Sequence, residues 1–240
     1  MIEVHQVSKY FGGFEALHNV SFTARDGEIT GLIGPNGAGK TTTLRILYTV
    51  LKPDTGYAAI DGYDTTTERR QVQARIGVLP DNRGLYPRLT AREHIRYYGR
   101  LHGLDGPELE RRIDRLIEKL AMEDIADRRA KGFSKGQTMK VALARALVHE
   151  PRNVMFDEPT NGLDIASSRA VRELVREIRD QRRCVLFCSH IMSEVEALCD
   201  RIVVVAHGRV VADGTPAELR QAVGQADLEE VFLKTVEAGR

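Results

Sequence analysis

The stretch Gly34-Pro35-Asn36-Gly37-Ala38-Gly39-Lys40-Thr41 decides the fold of this chain. An apolar run at residues 29–33 precedes it, and residues 42–51 follow it with the pattern of a helix. Strand, glycine-rich loop and helix in this order are the context in which Gly-x-x-x-x-Gly-Lys-Thr forms a phosphate-binding loop. Glycines let successive backbone N–H groups turn toward phosphate oxygens, and the helix N-terminus adds its positive dipole end. The stretch therefore predicts a nucleoside triphosphate site.

Two side chains of this loop carry chemistry of their own. Lys40 is expected to reach the β- and γ-phosphates as a point charge, and the Thr41 hydroxyl is expected to help hold Mg²⁺. A glycine-rich turn without chemistry is the alternative, and the flanking strand and helix argue against it. The predicted nucleotide ligands are Gly34, Pro35, Asn36, Gly37, Ala38, Gly39, Lys40, Thr41 and Thr42.

The composition narrows the class of protein. The chain has 240 residues, 42% of them hydrophobic and 29% charged, which is ordinary for a soluble domain with a sizeable core. The net charge of +1 gives no electrostatic case for a nucleic-acid partner. No apolar run approaches the roughly 20 residues that cross a bilayer, and we see no signal peptide. The three cysteines form no disulfide framework, so we expect a reducing cytosol.

Apolar runs and helical patterns alternate along the chain. Residues 2–7 and 17–24 look like an antiparallel pair, the first an edge-like strand, with a break at Gly12-Gly13. Three helical patterns then occupy the middle, and strands alternate with helices again from residue 154. The pattern predicts an α/β fold: a phosphate-loop NTPase (RecA-like) core with a mostly parallel sheet, an N-terminal antiparallel β element and an inserted α-helical subdomain.

A second motif follows the apolar run Val154-Met155-Phe156, which ends in Asp157 and Glu158. Phosphoryl chemistry with Mg²⁺ needs a carboxylate at the end of a buried strand beside the phosphate loop. Asp157 can hold the metal while Glu158, on the turn, orients and deprotonates the attacking water. The alternative, two acids that merely begin a loop, does not account for the phosphate loop earlier in the chain.

Two weaker signals lie between and after these motifs. Residues 133–137, Phe-Ser-Lys-Gly-Gln, open the third helix of the middle region; we call them the signature segment. A serine and a glycine at a helix start can bind an anion, although plain capping has the same appearance. His190 follows the buried-type strand 184–188, and the carboxyl ends of such strands are where ligands bind. A lone histidine there is more often structural.

Together these segments resemble the ATPase subunits of ABC transporters, over nearly the whole chain. The matching segments are residues 34–41, 134–137, 157–159 and 162–164, with His190. The resemblance implies that ATP and Mg²⁺ bind and that Phe11, by itself most simply a core aromatic, stacks on adenine. It implies that Ser134, Gly136 and Gln137 face the ATP of the other subunit in a head-to-tail dimer. It further implies that Asp157 serves Mg²⁺, Glu158 polarises water, Asp164 links the two sites and His190 senses the γ-phosphate.

The resemblance also implies a division of the chain. Residues 1–84 and 151–221 would form the ATP-binding core, residues 85–150 the helical subdomain, and residues 222–240 a C-terminal tail. The whole is expected to be a single ABC ATPase domain that sits peripherally on the cytoplasmic face of the cell membrane.

The chain departs from the family pattern at two positions. Asp81 stands where the family usually has glutamine; a carboxylate there can ligate Mg²⁺ or a bound water, and it adds negative charge beside the phosphates. Lys135 replaces the second glycine of the signature segment, and its long side chain can lie near phosphate or point to solvent. The sequence of residues 79–93 and 133–136 resembles the corresponding segments of the sodium-efflux (NatA-type) branch of the family.

The expected function is an ATPase subunit that dimerises and drives a separate membrane permease, an exporter and in this branch one of Na⁺. Leu85, Tyr86 and Pro87 are the expected docking patch; the alternative is that they cover the helices beneath them. Two rival functions are a soluble mechanical ABC protein that acts on ribosomes or DNA, and a small-molecule kinase. The first rival generally has two ATPase halves or long inserts, and the second leaves the signature segment unexplained.

Overall fold

The structure is a computed structural model that describes residues 1–81 and 84–223 together with Glu230 and Phe232. The strands are β1 Ile2–Phe11, β2 Phe14–Ala24, β3 Ile29–Ile33, β4 Thr55–Ile60, β5 Tyr63–Asp64, β6 Ile76–Leu79, β7 Asn153–Asp157, β8 Cys184–Cys188, β9 Arg201–Ala206 and β10 Arg209–Gly214. The helices are α1 Lys40–Leu47, α2 Arg69–Arg75, α3 Ala91–Leu101, α4 Gly106–Lys119, α5 Lys135–Leu147, α6 Ile165–Asp180, α7 Met192–Leu198 and α8 Pro216–Val223. Within the described ranges no helix is both long enough and apolar enough to cross a membrane.

The larger sheet confirms the predicted, mostly parallel architecture. Its strand order is β10-β9-β3-β8-β7-β6, and only β10 runs antiparallel to its neighbour. Every residue of β3, β7 and β8 is buried, because α5, α6 and α7 cover one face of these central strands. The antiparallel sheet, with α1 and α2, covers the other face. The carboxyl ends of β3 and β7, which carry the phosphate loop and the acidic pair, therefore open at the same edge of the sheet.

The N-terminal antiparallel element is confirmed, with two corrections. The first strand is interior, because β4 pairs with its other side in the sheet order β2-β1-β4-β5. Both strands are also longer than predicted, and they meet at a two-residue turn, Gly12-Gly13, where Gly12 has φ +60°. The sequence break thus marks a tight hairpin and not the end of strand structure.

The helical middle of the chain has its own core. Side chains from α3, α4 and α5 pack together around Ile95, Ile113 and Val141. Helix α5 is buried on almost every side: Val141 faces this core, while Leu143 faces the core of the large sheet. Helix α3 begins with a capping box, since the Thr90 hydroxyl accepts from the Glu93 N–H and the Glu93 carboxylate accepts from the Thr90 N–H. The boundaries predicted for this subdomain stay a prediction.

Candidate functional site

The phosphate loop is held rigidly by its neighbours. Gly34 directly follows β3 and packs closely against β9. A Cβ atom at Gly34 would lie only 2.1 Å from the Val205 carbonyl oxygen. Gly39 has φ +109°, a conformation that L side chains rarely adopt. The Ala38 carbonyl accepts a hydrogen bond from the Gly208 N–H at 3.0 Å, in the turn between β9 and β10. These contacts fix the loop before any nucleotide binds.

Helix α1 begins at Lys40, earlier than the sequence predicted, and ends before Thr49, which has φ +67°. The Lys40 side chain is buried and folds back over the loop. Its ammonium donates to the Gly34 carbonyl at 2.6 Å and to the Pro35 carbonyl at 3.1 Å. A buried ammonium held by carbonyl oxygens supplies a positive charge at the position where phosphate oxygens would lie.

The acidic pair sits at the end of β7 as predicted. Asp157 is the last residue of that buried strand and is 7% exposed. Glu158 has φ +50°, a left-handed conformation that is uncommon for a residue with a side chain and that concentrates at functional sites. The turn is held in place because the Glu158 N–H donates to the Cys188 carbonyl at 3.0 Å.

The surroundings of Asp157 disfavour its charged form. Burial raises the pKa of this carboxyl to about 6, and the negative charges of Asp81 and Glu158 push the pKa in the same direction. The positive charges of Lys40 and Arg45 act against that rise. A site that concentrates negative charge in this way favours the binding of a cation.

His190 reaches the acidic pair from the segment after β8. Its Nδ1 lies 2.8 Å from a carboxylate oxygen of Glu158, while its side chain stays more than half exposed. The histidine therefore has one nitrogen on Glu158 and the opposite edge of the ring toward solvent. This contact fixes the direction in which the Glu158 carboxylate points.

These groups surround a cavity of about 350 Å³, which we call the nucleotide cavity. It brings together the phosphate loop, the acidic pair, Asp81 and aromatic side chains of the β1–β2 hairpin. The lining residues are Phe11, Phe14, Ala16, Asn36, Gly37, Ala38, Gly39, Lys40, Thr41, Thr42, Asp81, Asp157 and Glu158. Gly34 and Pro35 support it from behind through Lys40, and His190 supports it through Glu158.

Phe14 is a site residue that the sequence analysis missed. It pairs directly with Phe11 across the hairpin, and the two rings are 65% and 46% exposed respectively. Two exposed aromatic rings at the mouth of a phosphate site can stack on a base. The signal was available in the sequence, since Phe-Gly-Gly-Phe is a two-residue turn flanked by matched aromatics.

The signature segment lies away from the nucleotide cavity of its own chain. Ser134, Gly136 and Gln137 do not line that cavity, and neither does Asp164. The Ser134 hydroxyl accepts from the Gln137 N–H at 3.1 Å, and the Gln137 side chain accepts from the Ser134 N–H at 3.1 Å. Asp164 caps α6 through its carboxylate, which accepts from the Ser167 N–H at 2.9 Å and from the Ser167 hydroxyl at 2.8 Å. This chain alone does not bring the two predicted halves of the site together.

Lys135 does not line its own nucleotide cavity, and it is exposed to solvent. It lies over Gly162, where a Cβ atom would be 3.2 Å from the lysine Nζ. It shares a crevice of about 400 Å³ with Asp81, Gly84, Phe133, Thr138, Asn161 and Gly162, which we call the side crevice. Asp81 lines both this crevice and the nucleotide cavity.

Comparison with known proteins decides the family. A family profile described as ABC transporter matches residues 17–161. The chain is 43% identical over 226 residues to the ABC transporter ATP-binding protein NatA of Bacillus subtilis, covering 94% of this chain and 92% of that protein. The chain belongs to the ABC transporter family. It is also 36% identical to the Nod factor export ATP-binding protein I of Paraburkholderia xenovorans, over 96% of this chain and 76% of that protein.

Solved structures agree with this family. An ATP-binding subunit of an ABC transporter superposes with a TM-score of 0.92 at 32% identity, covering 98% of this chain and 99% of that one. A dimeric ATP-binding cassette in a post-hydrolysis state, bound to ADP and Pi, superposes with a TM-score of 0.82 at 27% identity, covering 90% and 98%. This ABC subunit is therefore an ATPase that dimerises and powers transport by a membrane permease. The kinase alternative is set aside.

The residues of the nucleotide cavity fit ATP and Mg²⁺. The glycine loop leaves room where side chains would block close approach, and the hydroxyl of Thr41 and the carboxylate of Asp157 are the hard oxygen ligands that Mg²⁺ prefers. Among the described residues, no three His, Cys, Asp or Glu side chains form a metal site by themselves. The protein would thus supply part of the coordination, with phosphate oxygens and water supplying the rest.

Proposed function

We propose that this ABC ATPase hydrolyses ATP in the nucleotide cavity with Glu158 as the residue that orients the attacking water. The observation that carries the proposal is the Glu158 carboxylate itself. It lies at a left-handed turn directly after Asp157, in contact with His190 and on the wall of the cavity that the phosphate loop forms. Thr41, Asp157 and Asp81 would hold Mg²⁺, which neutralises charge on the phosphates when it is bound.

The remaining roles follow from placement. Glu158 accepts a proton from the water as it attacks the γ-phosphorus in line with the leaving oxygen. Lys40 balances the charge that develops on the phosphate oxygens, and His190 holds Glu158 in the attacking direction. Phe11 and Phe14 stack on the adenine.

The second side of the triphosphate would be covered by the signature segment of another subunit. Ser134, Gly136 and Gln137 lie at an exposed helix start that does not face their own nucleotide cavity, so they are free to close on a partner's ATP. Asp164, at the start of α6, would link the two sites. ATP then joins the subunits, and loss of phosphate releases them.

Replacing Glu158 with glutamine tests the central role. Glu158→Gln keeps the shape and the acceptor oxygen but removes the base, so turnover should fall by about 10²–10⁴-fold while ATP still binds. ATP hydrolysis and binding of a fluorescent ATP analogue would be measured on the same preparation. Hydrolysis at the wild-type rate would show that another group activates the water.

For the transported substrate we propose export, with Na⁺ as the cargo. The support is the 43% identity to NatA over nearly the full length of both proteins, together with the NatA-type sequence of residues 79–93. Relatives named for Nod factor export and for linearmycin resistance agree with export as the direction. Reconstitution with the permease in vesicles should give ATP-driven Na⁺ flux. If ATP hydrolysis is fully coupled to transport of another substrate, the proposal of Na⁺ as the cargo is wrong, while the proposed ATPase activity stands.

The permease would dock on the loop that carries Tyr86 and Pro87, on the cytoplasmic face of the membrane. Tyr86 is 54% exposed, and its backbone N–H donates to His94 Nε2 at 2.9 Å, which fixes the loop. Leu85 differs from the other two, because it packs on the helical core beneath it. Next to this loop lies a groove of about 930 Å³ with exposed Val50 and Leu101 at its rim.

This docking groove offers apolar walls and positive charge. Arg70 and Arg145 supply the positive charge, and no carboxylate among the described residues lines the groove. Burial lowers the pKa of His102, and that of His149 to about 4, so neither histidine adds to this charge at pH 7. Arg145 connects it to the loop, since its guanidinium donates to the Gly84 carbonyl at 3.2 Å and covers the Tyr98 ring. A photo-crosslinker at Leu101 should label the permease in native membranes, whereas one at Tyr57, exposed on the antiparallel sheet, should not. Labelling from Tyr57 alone would place the permease elsewhere.

A further inference from the structure

A buried carboxylate on α7 joins three segments near the acidic pair. Glu194 lies in the first turn of that helix and is 6% exposed. One of its carboxylate oxygens accepts from the Thr160 hydroxyl at 2.6 Å, and the other accepts from the Arg172 guanidinium on α6 at 3.2 Å. A carboxylate is costly to bury unless partners of this kind satisfy it, so the contacts are specific to the residues that form them.

The Thr160–Glu194 bond connects the two segments that carry Glu158 and His190. Thr160 is buried and lies two residues after Glu158, in the loop 158–164. Glu194 lies four residues after His190. The bond therefore ties together the same two segments that meet where His190 Nδ1 lies 2.8 Å from Glu158 Oε2.

These two contacts between the segments differ in exposure. The His190 side chain is more than half exposed, and an exposed polar contact is weakened by water and by salt. The Thr160–Glu194 bond is buried, where a hydrogen bond is electrostatically stronger. The buried bond is therefore the one that fixes the distance between the segments.

The backbone of the loop carries that constraint to Glu158. The Asn161 N–H donates to the Glu158 carbonyl at 3.2 Å, and the Leu163 N–H donates to the Thr160 carbonyl at 3.1 Å, so the loop is two consecutive turns with little slack. Glu158 has φ +50°, and a residue in this conformation keeps it only where its surroundings hold it. The Thr160–Glu194 bond is one of the contacts that hold it.

We infer that Thr160 and Glu194 are positioning residues for ATP hydrolysis: their buried hydrogen bond holds the turn at Glu158, so that its carboxylate stays aligned with the attacking water. The inference rests on the proposed function, because it assumes that Glu158 orients that water. Neither Thr160 nor Glu194 lines the nucleotide cavity. Both therefore act through Glu158 and not on the nucleotide directly.

Replacing Thr160 with valine tests the inference, because it removes the hydroxyl and keeps a branched side chain of similar shape. In steady-state ATP hydrolysis by the full chain, Thr160→Val should lower kcat about ten-fold with KM changed less than about two-fold. Thr160→Ser, which retains the hydroxyl, should restore most of the activity. Binding of a fluorescent ATP analogue and thermal unfolding would be measured on the same preparations, since a merely structural role would lower stability without this split between kcat and KM.

Thr30→Val is the matched control. Thr30 is also buried, and its hydroxyl also donates to a carboxylate, that of Glu28 at 3.2 Å, but it lies near the start of β3, at the end of the strand away from the phosphate loop. Its replacement should leave kcat unchanged. Should Thr160→Val fail to fold, Thr160→Ala removes the same hydroxyl and leaves room for water beside the carboxylate, with the same expected effect on kcat.

A second arm asks whether the effect passes through Glu158. In a Glu158→Gln background, where no base remains to be positioned, Thr160→Val should lower the residual single-turnover rate by less than about two-fold. A full ten-fold loss in that background would overturn the inference, as would wild-type kcat in folded Thr160→Val or an equal loss in Thr30→Val. If Glu158→Gln alone hydrolyses ATP at the wild-type rate, the proposed function fails first. If Glu158→Gln is inactive and Thr160→Val is fully active, only this inference fails.

Discussion

Two helix starts in this chain look alike in sequence and differ in structure. The start of α1 carries the phosphate loop, whose lysine is buried and whose backbone is held by hydrogen bonds from neighbouring turns. This loop faces three carboxylates, those of Asp81, Asp157 and Glu158, across a cavity. The start of α5 carries the signature segment, whose capping groups already satisfy each other on an exposed surface. The first is a nearly complete site within one chain, while the second has an anion-binding geometry with no anion site of its own.

This difference teaches how the work is divided between two copies of the subunit. A phosphate site that must hold its ligand tightly needs a rigid backbone, and Gly34 provides that rigidity by close packing on β9. A surface that must close and release cannot be packed in the same way. A Cβ atom at Gly136 would accordingly meet only ordinary van der Waals contacts, with Ser167 Oγ at 3.5 Å and Ser134 Oγ at 3.9 Å.

The largest expected contrast is between alanine at these two glycines. Gly34→Ala places a methyl group against the Val205 carbonyl, so the loop must shift, the free energy of unfolding should fall by about 1–3 kcal/mol, and ATP binding should be lost. Gly136→Ala should fold normally and bind ATP as a single subunit, yet hydrolyse it at least ten-fold more slowly. Thermal unfolding, analogue binding and phosphate release would be measured for both. Equal ATP binding by the two variants would remove the contrast.

The next effect concerns His190. Its replacement by alanine removes the contact between the His190 Nδ1 and the Glu158 carboxylate, so kcat should fall by about 100-fold with little change in KM. His190→Gln, which can still donate to Glu158, should retain more activity than His190→Ala. Steady-state ATP hydrolysis measures both, and full activity in His190→Ala would mean that Glu158 does not need His190 to orient it.

Asp157 gives a pH-dependent prediction on the ATP-free subunit with Mg²⁺ chelated. Its folded pKa of about 6 lies above its ordinary value of 3.8, so the folded state binds the proton more tightly and is more stable below pH 4 than above pH 6 with respect to this group. Asp157→Asn should therefore raise the free energy of unfolding by about 1–3 kcal/mol at pH 7.5, with the gain shrinking as pH falls through 6. Urea unfolding at pH 7.5 and pH 5 measures this. Destabilisation by Asp157→Asn at pH 7.5 would contradict the prediction.

The smallest expected effect concerns the two aromatic rings, which should influence ATP affinity but not the hydrolysis step. Phe11→Ala and Phe14→Ala should each weaken ATP affinity about three- to ten-fold through lost base stacking, with kcat nearly unchanged. Tyr57→Ala is the control, because that ring is equally exposed on the same antiparallel sheet and does not line the nucleotide cavity. If Phe11→Ala weakens ATP affinity and Phe14→Ala does not, then Phe11 alone contacts the adenine.

The sequence predicted well those parts that local pattern determines. The phosphate loop, the buried strand that ends in Asp157 and the helix start at Ser134 depend on spacing along a single segment, and the structure has each of them. The interior position of β1 could not be predicted, because it depends on its pairing with β4, some fifty residues later. The contact between His190 and Glu158 likewise joins the ends of two neighbouring strands.

Phe14 and Lys135 show the same limit for the candidate site. Phe14 joins the site because the hairpin register sets it opposite Phe11, and the predicted strands stopped short of that turn. Lys135 was left between phosphate and solvent because its surroundings belong to two distant loops, at Asp81 and at Gly162. The structure favours solvent, since Lys135 is exposed and does not line the nucleotide cavity of its own chain.

The most direct test of the shared site is the mass of the Glu158→Gln subunit in solution with and without ATP. Because this variant holds ATP without splitting it, sedimentation should show a single subunit without nucleotide and a stable dimer with ATP and Mg²⁺. Adding Ser134→Arg should block the dimer while leaving ATP binding by each subunit intact, since Ser134 lies outside its own nucleotide cavity. A subunit that stays single when saturated with ATP, in the presence of its permease as well, would contradict the account.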